Sequence, residues 1–235
     1  MANPEILRAL NLHHGEIVPG NILEILPSAE ATISRIRSEV QHIPDIHYFM
    51  HFAPSYEIIP ITKPGITYHR REHGAHIGAG LTIKLLWEQA KGTQIPWQFL
   101  EAGGFAGALH DARRTNDETD WDHGNIIAYE IENDKTGITK VPKHLRKLVC
   151  RVIREHVPED THKMHALTVH FKAIDSIFWW RTGDFRAGYF RDMTAVEMLP
   201  LVPIILKQTE IELHSEKDGY IAGLKAMARI GLINW

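Results

Sequence analysis

Apolar residues return at intervals of three and four along most of the chain, the spacing of one face of an α-helix. Ser28–Val40 is predicted as a helix with Ile33, Ile36 and Val40 on one side. His73–Lys91 sets Ile77, Leu81 and Leu85 on a stripe, and Pro96–Arg113 sets Phe99, Ala102, Ala106 and then Leu109 or His110 on another. Pro142–His156 is the plainest case: Leu145, Leu148, Val149, Val152 and Ile153 share a face, and His156 falls on it. Pro142 stands near the first turn, where a missing N–H does no harm. Thr161–Arg181 offers Leu167, Phe171, Ile174 and Phe178, and Thr194–Leu232 continues at helical intervals with breaks near Pro200–Pro203 and Asp218–Gly219. A Pro-rich passage, Pro44–Gly65, separates an N-terminal segment from the rest, and within it Tyr56–Ile61 is the one run that suits a short strand. The pattern predicts an all-α fold.

Composition narrows the function more than the fold. The 235 residues are 44% hydrophobic and 23% charged, enough to bury a core without a disulfide or a structural metal. A formal net charge of −3 and no sustained basic stretch disfavour duplex nucleic acid as a partner and leave a small molecule. Cys150 has no second cysteine to pair with. Met1–Leu10 lacks the apolar core of a signal peptide, and no stretch reaches the 18 apolar residues of a membrane span, so cytoplasm is the expected location. Histidine is the outlier: there are 16, many beside Asp or within apolar runs.

Several of these polar residues fall on faces that should be buried. Asp175 lies four residues after Phe171 and three before Phe178, and a buried carboxylate needs a cation or several donors. His156 follows Ile153 by three. His110-Asp111 ends a run of small residues, Gly103-Gly104-Phe105-Ala106-Gly107-Ala108, that permits close helix approach. His73 and His76 stand three apart on one helical face. A mixed imidazole and carboxylate set suits Fe, Mn, Co, Ni or Zn, with Mg also acceptable, and the lack of thiolates argues against structural zinc. The run Phe178-Trp179-Trp180 reads as core rather than as a stacking platform.

The order His76, His110-Asp111, His123, His156, Asp175 resembles the HD superfamily of metal-dependent phosphohydrolases. Ala108-Leu109-His110-Asp111-Ala112-Arg113-Arg114, the stretch from Asn116 to His123-Gly124, the helix ending Glu155-His156, and Ala173-Ile174-Asp175 carry the likeness, over roughly His69–Arg181. It implies an HD domain over 66–190, with 1–65 an N-terminal extension packed on it and 191–235 helices completing the same domain. It implies metal ligation by His76, His110, Asp111 and Asp175, with His123 and His156 holding a second ion and Asp111 bridging. Two divalent ions are expected rather than one. His73 is then a substrate contact, a ligand, or a group orienting His76, and Arg113, Arg114 and Arg181 are candidates for holding phosphate. Asp117, Asp120 or Asp122 can serve as general acid or position water, and Asp122 is placed with Asp111 and Arg114 in the catalytic set.

The implied function is hydrolysis of a phosphate ester of a small molecule, a nucleotide or a related monoester or diester, by metal-activated water. No Gly-x-Ser-x-Gly elbow, P-loop or activated cysteine suggests a covalent route. The same scaffold also resembles HD-type di-iron oxygenases acting on a small polyol or phosphonate. A nucleotide-binding sensor without turnover is a third reading, disfavoured because no ligand position is missing. An assembly of like chains is compatible with each.

Overall fold

The computed structural model describes residues 3–19, 21–40, 71–117, 120–133, 141–158, 161, 163–182, 185–216 and 218–234. The Pro-rich passage and the Tyr56–Ile61 run lie outside them, as do His42, His47, His51 and His162. The fold is all-α. Its helices are α1 Pro4–Ala9, α2 Ile22–Ile25, α3 Ala29–Glu39, α4 Arg71–Ala90, α5 Trp97–Leu109, α6 His123–Glu132, α7 Arg146–Glu155, α8 Ala166–Phe178, α9 Met193–Met198, α10 Val202–Leu213 and α11 Gly219–Arg229. No strand occurs among the described residues, although Ile17 and Arg186 form an antiparallel bridge. None of the described helices is long and apolar enough to cross a membrane.

Helix α4 is the axis of the structure. Every residue from 73 to 87 is buried, so this helix has no solvent face and packs against α5, α8, α10 and α11. Close packing on all sides needs small residues at the crossings. A Cβ on Gly107 of α5 would lie 2.4 Å from Cα of Gly78, and one on Gly223 of α11 would lie 2.5 Å from the carbonyl oxygen of Ala75. The single buried cation on this axis, among the described residues, is Lys84. Its Nζ lies 2.7 Å from His170 Nδ1, 3.1 Å from an Asp192 carboxylate oxygen and 3.4 Å from Glu88, which offsets the cost of burying the charge. Burial, with the Lys84 charge beside it, pushes the His170 pKa down to about 4.

The two ends of the chain join the same core. Ile6, Leu7, Leu10 and Leu12 from the N-terminal segment and Leu232 and Ile233 from the C-terminal one belong to one apolar cluster with α4 and α8. The Asn3 amide donates to the Phe190 carbonyl and the Val18 amide to that of Phe185, which fixes the first segment against 185–190.

Two elements depart from the expected pattern. Helix α6 is not predicted by periodicity because its apolar residues do not form one stripe: Ile127 and Ile131 are buried, whereas Ile126 and Tyr129 are exposed. Helix α8 begins at Ala166, capped by the His165 side chain, rather than at Thr161, and after Phe178 the chain tightens into a 3-10 turn over Trp179–Thr182. Cys150 is fully buried on α7 against the Ala128 carbonyl, and burial raises its pKa to about 11. In native protein it should resist a thiol reagent at pH 8 and react fully once the chain is unfolded in guanidinium; rapid native labelling would contradict this packing.

Candidate metal centre

Four helix ends converge on one cavity of about 220 Å³, and the glycine crossings explain why. Because Gly78 and Gly107 let α4 and α5 touch backbone to backbone, the end of α5 delivers His110-Asp111 beside His73, whose ring centroid is 5.1 Å from that of His110. Gly124, the second residue of α6, does the same for the other side. A Cβ there would lie 2.5 Å from the Ile153 carbonyl oxygen, so its absence allows His123 on α6 to meet His156 at the end of α7. Asp175 arrives from α8, and His73 Nε2 lies 3.1 Å from its Oδ1.

The residues fall into two overlapping groups, His73–His110–Asp175 and His110–Asp111–His156, each offering one donor atom per residue within 4.8 Å of the others. The Asp111 carboxylate stands between histidine sets. Its Oδ2 is 3.2 Å from His110 Nε2 and 3.5 Å from His73 Nε2, while its Oδ1 is 3.1 Å from His123 Nε2 and 4.0 Å from His156 Nε2.

Three of these rings are oriented by main-chain carbonyls. His110 Nδ1 lies 2.7 Å from the Gly107 oxygen, His123 Nδ1 2.5 Å from the Asp120 oxygen, and His156 Nδ1 2.5 Å from the Ile153 oxygen. A carbonyl only accepts, so each Nδ1 carries the hydrogen, and a ring that is neutral then turns a bare Nε2 inward. His110 and His156 are C-cap residues, and the acceptors they use are carbonyls of a last helical turn, which lack intrahelical donors. As a result His123 Nε2 and His156 Nε2 face each other at 3.0 Å with Asp111 Oδ1 beside them. Three acceptor atoms brought together this way repel unless a proton or a metal cation stands among them, and imidazole nitrogens with carboxylates are the donor set that borderline divalent metals take. The buried His and Asp residues thus fit a metal ion.

The electrostatics separate the rings. Burial opposes charge on His110, but the neighbouring Asp111 and Asp175 carboxylates outweigh it and raise its pKa. His156, equally buried and facing His110 and His123, is driven down to about 3 and stays neutral, as a ligand must. For Asp175, burial raises the pKa, but the hydrogen bond and charge of His73 and the charge of His110 prevail and hold it well below the usual carboxylate range.

The expected residues are not all placed as predicted. His76 is absent from both groups and from the lining of the cavity; its ring stacks on Phe178 at 5.4 Å, nearly parallel. Three residues carry a helix 60° short of a full turn. The same step leads from Asp175 to Phe178 on α8, so His73/Asp175 faces the cavity and His76/Phe178 the core, and His73 occupies the position expected of His76. Asp122 is exposed and does not line the cavity. Asp120, which does, has its carboxylate tied down: it accepts from the Thr115 amide and hydroxyl and from the amides of Asp122 and His123. Burial opposes ionisation of Asp120, and these bonds outweigh it to lower the pKa. Arg114 lines the cavity, its Nη1 3.6 Å from Asp111 Oδ1, whereas Arg113 turns away to pair with Glu130 at 2.8 Å. Asp117 is outside the lining, and the side chain of Arg181 lies outside the described residues. Of the aromatic run, Phe178 is fully buried and Trp180 packs on Phe185, but Trp179 lines the cavity. Trp121 and Val157, which the sequence pattern does not single out, line it as well.

No family model matches the chain, and comparison with curated proteins and with solved structures finds no match.

Proposed function

We propose that the protein is a metal-dependent phosphohydrolase that cleaves a phosphate ester of a small molecule. The observation that carries the reading is the Asp111 carboxylate, whose two oxygens face two separate histidine sets across a cavity that also holds a guanidinium. His73, His110 and Asp175 would hold one divalent ion and His123 and His156 a second, with Asp111 shared between them. The resemblance of the ligand order to HD phosphohydrolases supports the same chemistry, with His73 in the first position. Ions in such a set acidify water toward neutrality and polarise a phosphoryl oxygen.

The chain's own residues do the rest. Arg114, held by its Nε–H to the Asn116 carbonyl at 2.9 Å, presents a planar fork beside the ligands that suits two phosphate oxygens. The Asp120 carbonyl orients His123, and its carboxylate is committed to Thr115 and the start of α6, so Asp120 is a positioning residue rather than a proton donor. Among the described residues no serine, cysteine or lysine lines the cavity, so solvent supplies the attacking oxygen.

Elemental analysis of the purified protein, followed by assay of phosphomonoesters and phosphodiesters with Mn, Co, Ni, Zn or Mg added back, tests this. In ¹⁸O-water one label should enter the released phosphate, with no phosphoenzyme on acid quench. Oxygen uptake in proportion to product, dependent on iron, would replace this reading with the di-iron oxygenase. His123→Ala and His156→Ala should each lower the ion count from about two per chain toward one; two ions retained in both variants would place the second site elsewhere. Gly124→Val should act the same way without replacing a ligand, because its side chain would press on the Ile153 carbonyl and the His156 ring and force α6 off α7.

A further inference from the structure

Trp121 and Trp179 line the same cavity as the metal ligands, and they differ from the rest of its lining in chemistry. The other described lining residues are His, Asp and Arg, apart from Val157. An exposed indole on its own is ordinary. Here, however, Trp121 is 62% exposed on a backbone that is pinned: the Asp120 carboxylate accepts from the amides of Asp122 and His123 on its C-terminal side. Trp179 is half-buried and equally fixed, its amide donating to the carbonyls of Ile177 and Ser176 and its own carbonyl accepting from the Thr182 hydroxyl. Two indoles therefore stand on fixed backbone around a polar floor, the pattern of an apolar wall with a few convergent polar groups that small-molecule sites use.

Size points the same way. About 220 Å³ is smaller than the roughly 300–1,000 Å³ of typical ligand pockets, so the two indoles that line it stand close to any phosphate held among the ligands and Arg114. We propose that Trp121 and Trp179 form a ring-binding subsite, so that the substrate is a phosphate ester carrying a flat conjugated ring. This deepens the phosphate-ester reading and rests on it. Indole faces stack on any conjugated ring, whereas a saturated ring of the same size offers no π-face.

A matched pair of ligands isolates the ring. Benzylphosphonate and cyclohexylmethylphosphonate share the anion, and their C–P bonds resist hydrolysis, so binding to the metal-loaded protein can be measured by calorimetry without turnover. The expected result is about tenfold tighter binding of the benzyl compound. Trp121→Ala and Trp179→Ala should each remove most of that preference, Trp121→Phe should keep most of it, and the affinity for inorganic phosphate should be the same in all these proteins. Equal affinity for the two phosphonates in the wild-type protein, or a tenfold preference surviving both alanine variants, overturns the subsite. If the preference holds but inorganic phosphate does not compete and Arg114→Ala leaves the benzyl affinity unchanged, the ring subsite stands and the phosphate reading falls.

Discussion

Asp111→Ala should lose bound metal and turnover together. The residue is buried at 6% exposure and its two oxygens face His73 and His110 on one side and His123 and His156 on the other. Removing it takes away negative charge from a centre with four imidazoles and leaves no carboxylate between the two histidine sets. The expected loss of metal affinity exceeds the roughly 10–100-fold that follows removal of an outer partner of a ligand. Asp111→Asn separates charge from shape, since it keeps one oxygen and the volume: it should retain the fold, measured as an unchanged helical circular dichroism spectrum, yet still fail to hold a full complement of ions. Full occupancy and normal turnover in either variant would dismantle the centre as described.

The second large effect should come from a residue that touches neither metal nor substrate. Gly107→Val places a branched side chain where even a Cβ would be 2.4 Å from Cα of Gly78, so α4 and α5 must separate. Overpacking of this kind costs about 1–3 kcal/mol, and a clash of backbone with backbone belongs at the upper end, which for a chain of this size lowers Tm by about 6–12 °C. Because the Gly107 carbonyl also accepts from His110 Nδ1, the displaced helix end should carry its histidine away, and metal affinity should fall along with Tm. A variant that loses stability but keeps its metal unchanged would show that the crossing and the centre are mechanically independent.

Periodicity alone identifies some of this centre and misses the rest. The stripes of α7 and α8 are legible because one face of each is apolar, and Asp175 and His156 stand out as polar residues on such faces, whereas α5, buried at every residue from Ala102 to Gly107, shows only as a run of small and apolar residues. The choice between His73 and His76 is not legible. They stand three apart on a helix buried on every side, so periodicity gives no face to choose by; the choice depends on where α8 sets Asp175, a fact of tertiary packing. Trp179 is legible by helix geometry, since it follows Asp175 by four residues and so shares its helix face and turns to the cavity; only its place in the apolar run Phe178-Trp179-Trp180 makes it read as core. Asp120 and Asp122 differ by two positions in a loop whose conformation rests on side-chain bonds to Thr115, which no hydrophobic pattern encodes.

The carbonyls of Gly107, Asp120 and Ile153 that orient His110, His123 and His156 belong to the main chain, and every residue type supplies one. In many metal sites the group behind a histidine is a side chain, and a single codon change there adjusts the basicity of the ligand. Here no side-chain exchange at those three positions removes the acceptor. The orientation of these imidazoles is inherited from helix ends and one turn, so surface side chains around the centre can vary without disturbing it, whereas a substitution that shifts a helix end moves ring and acceptor together.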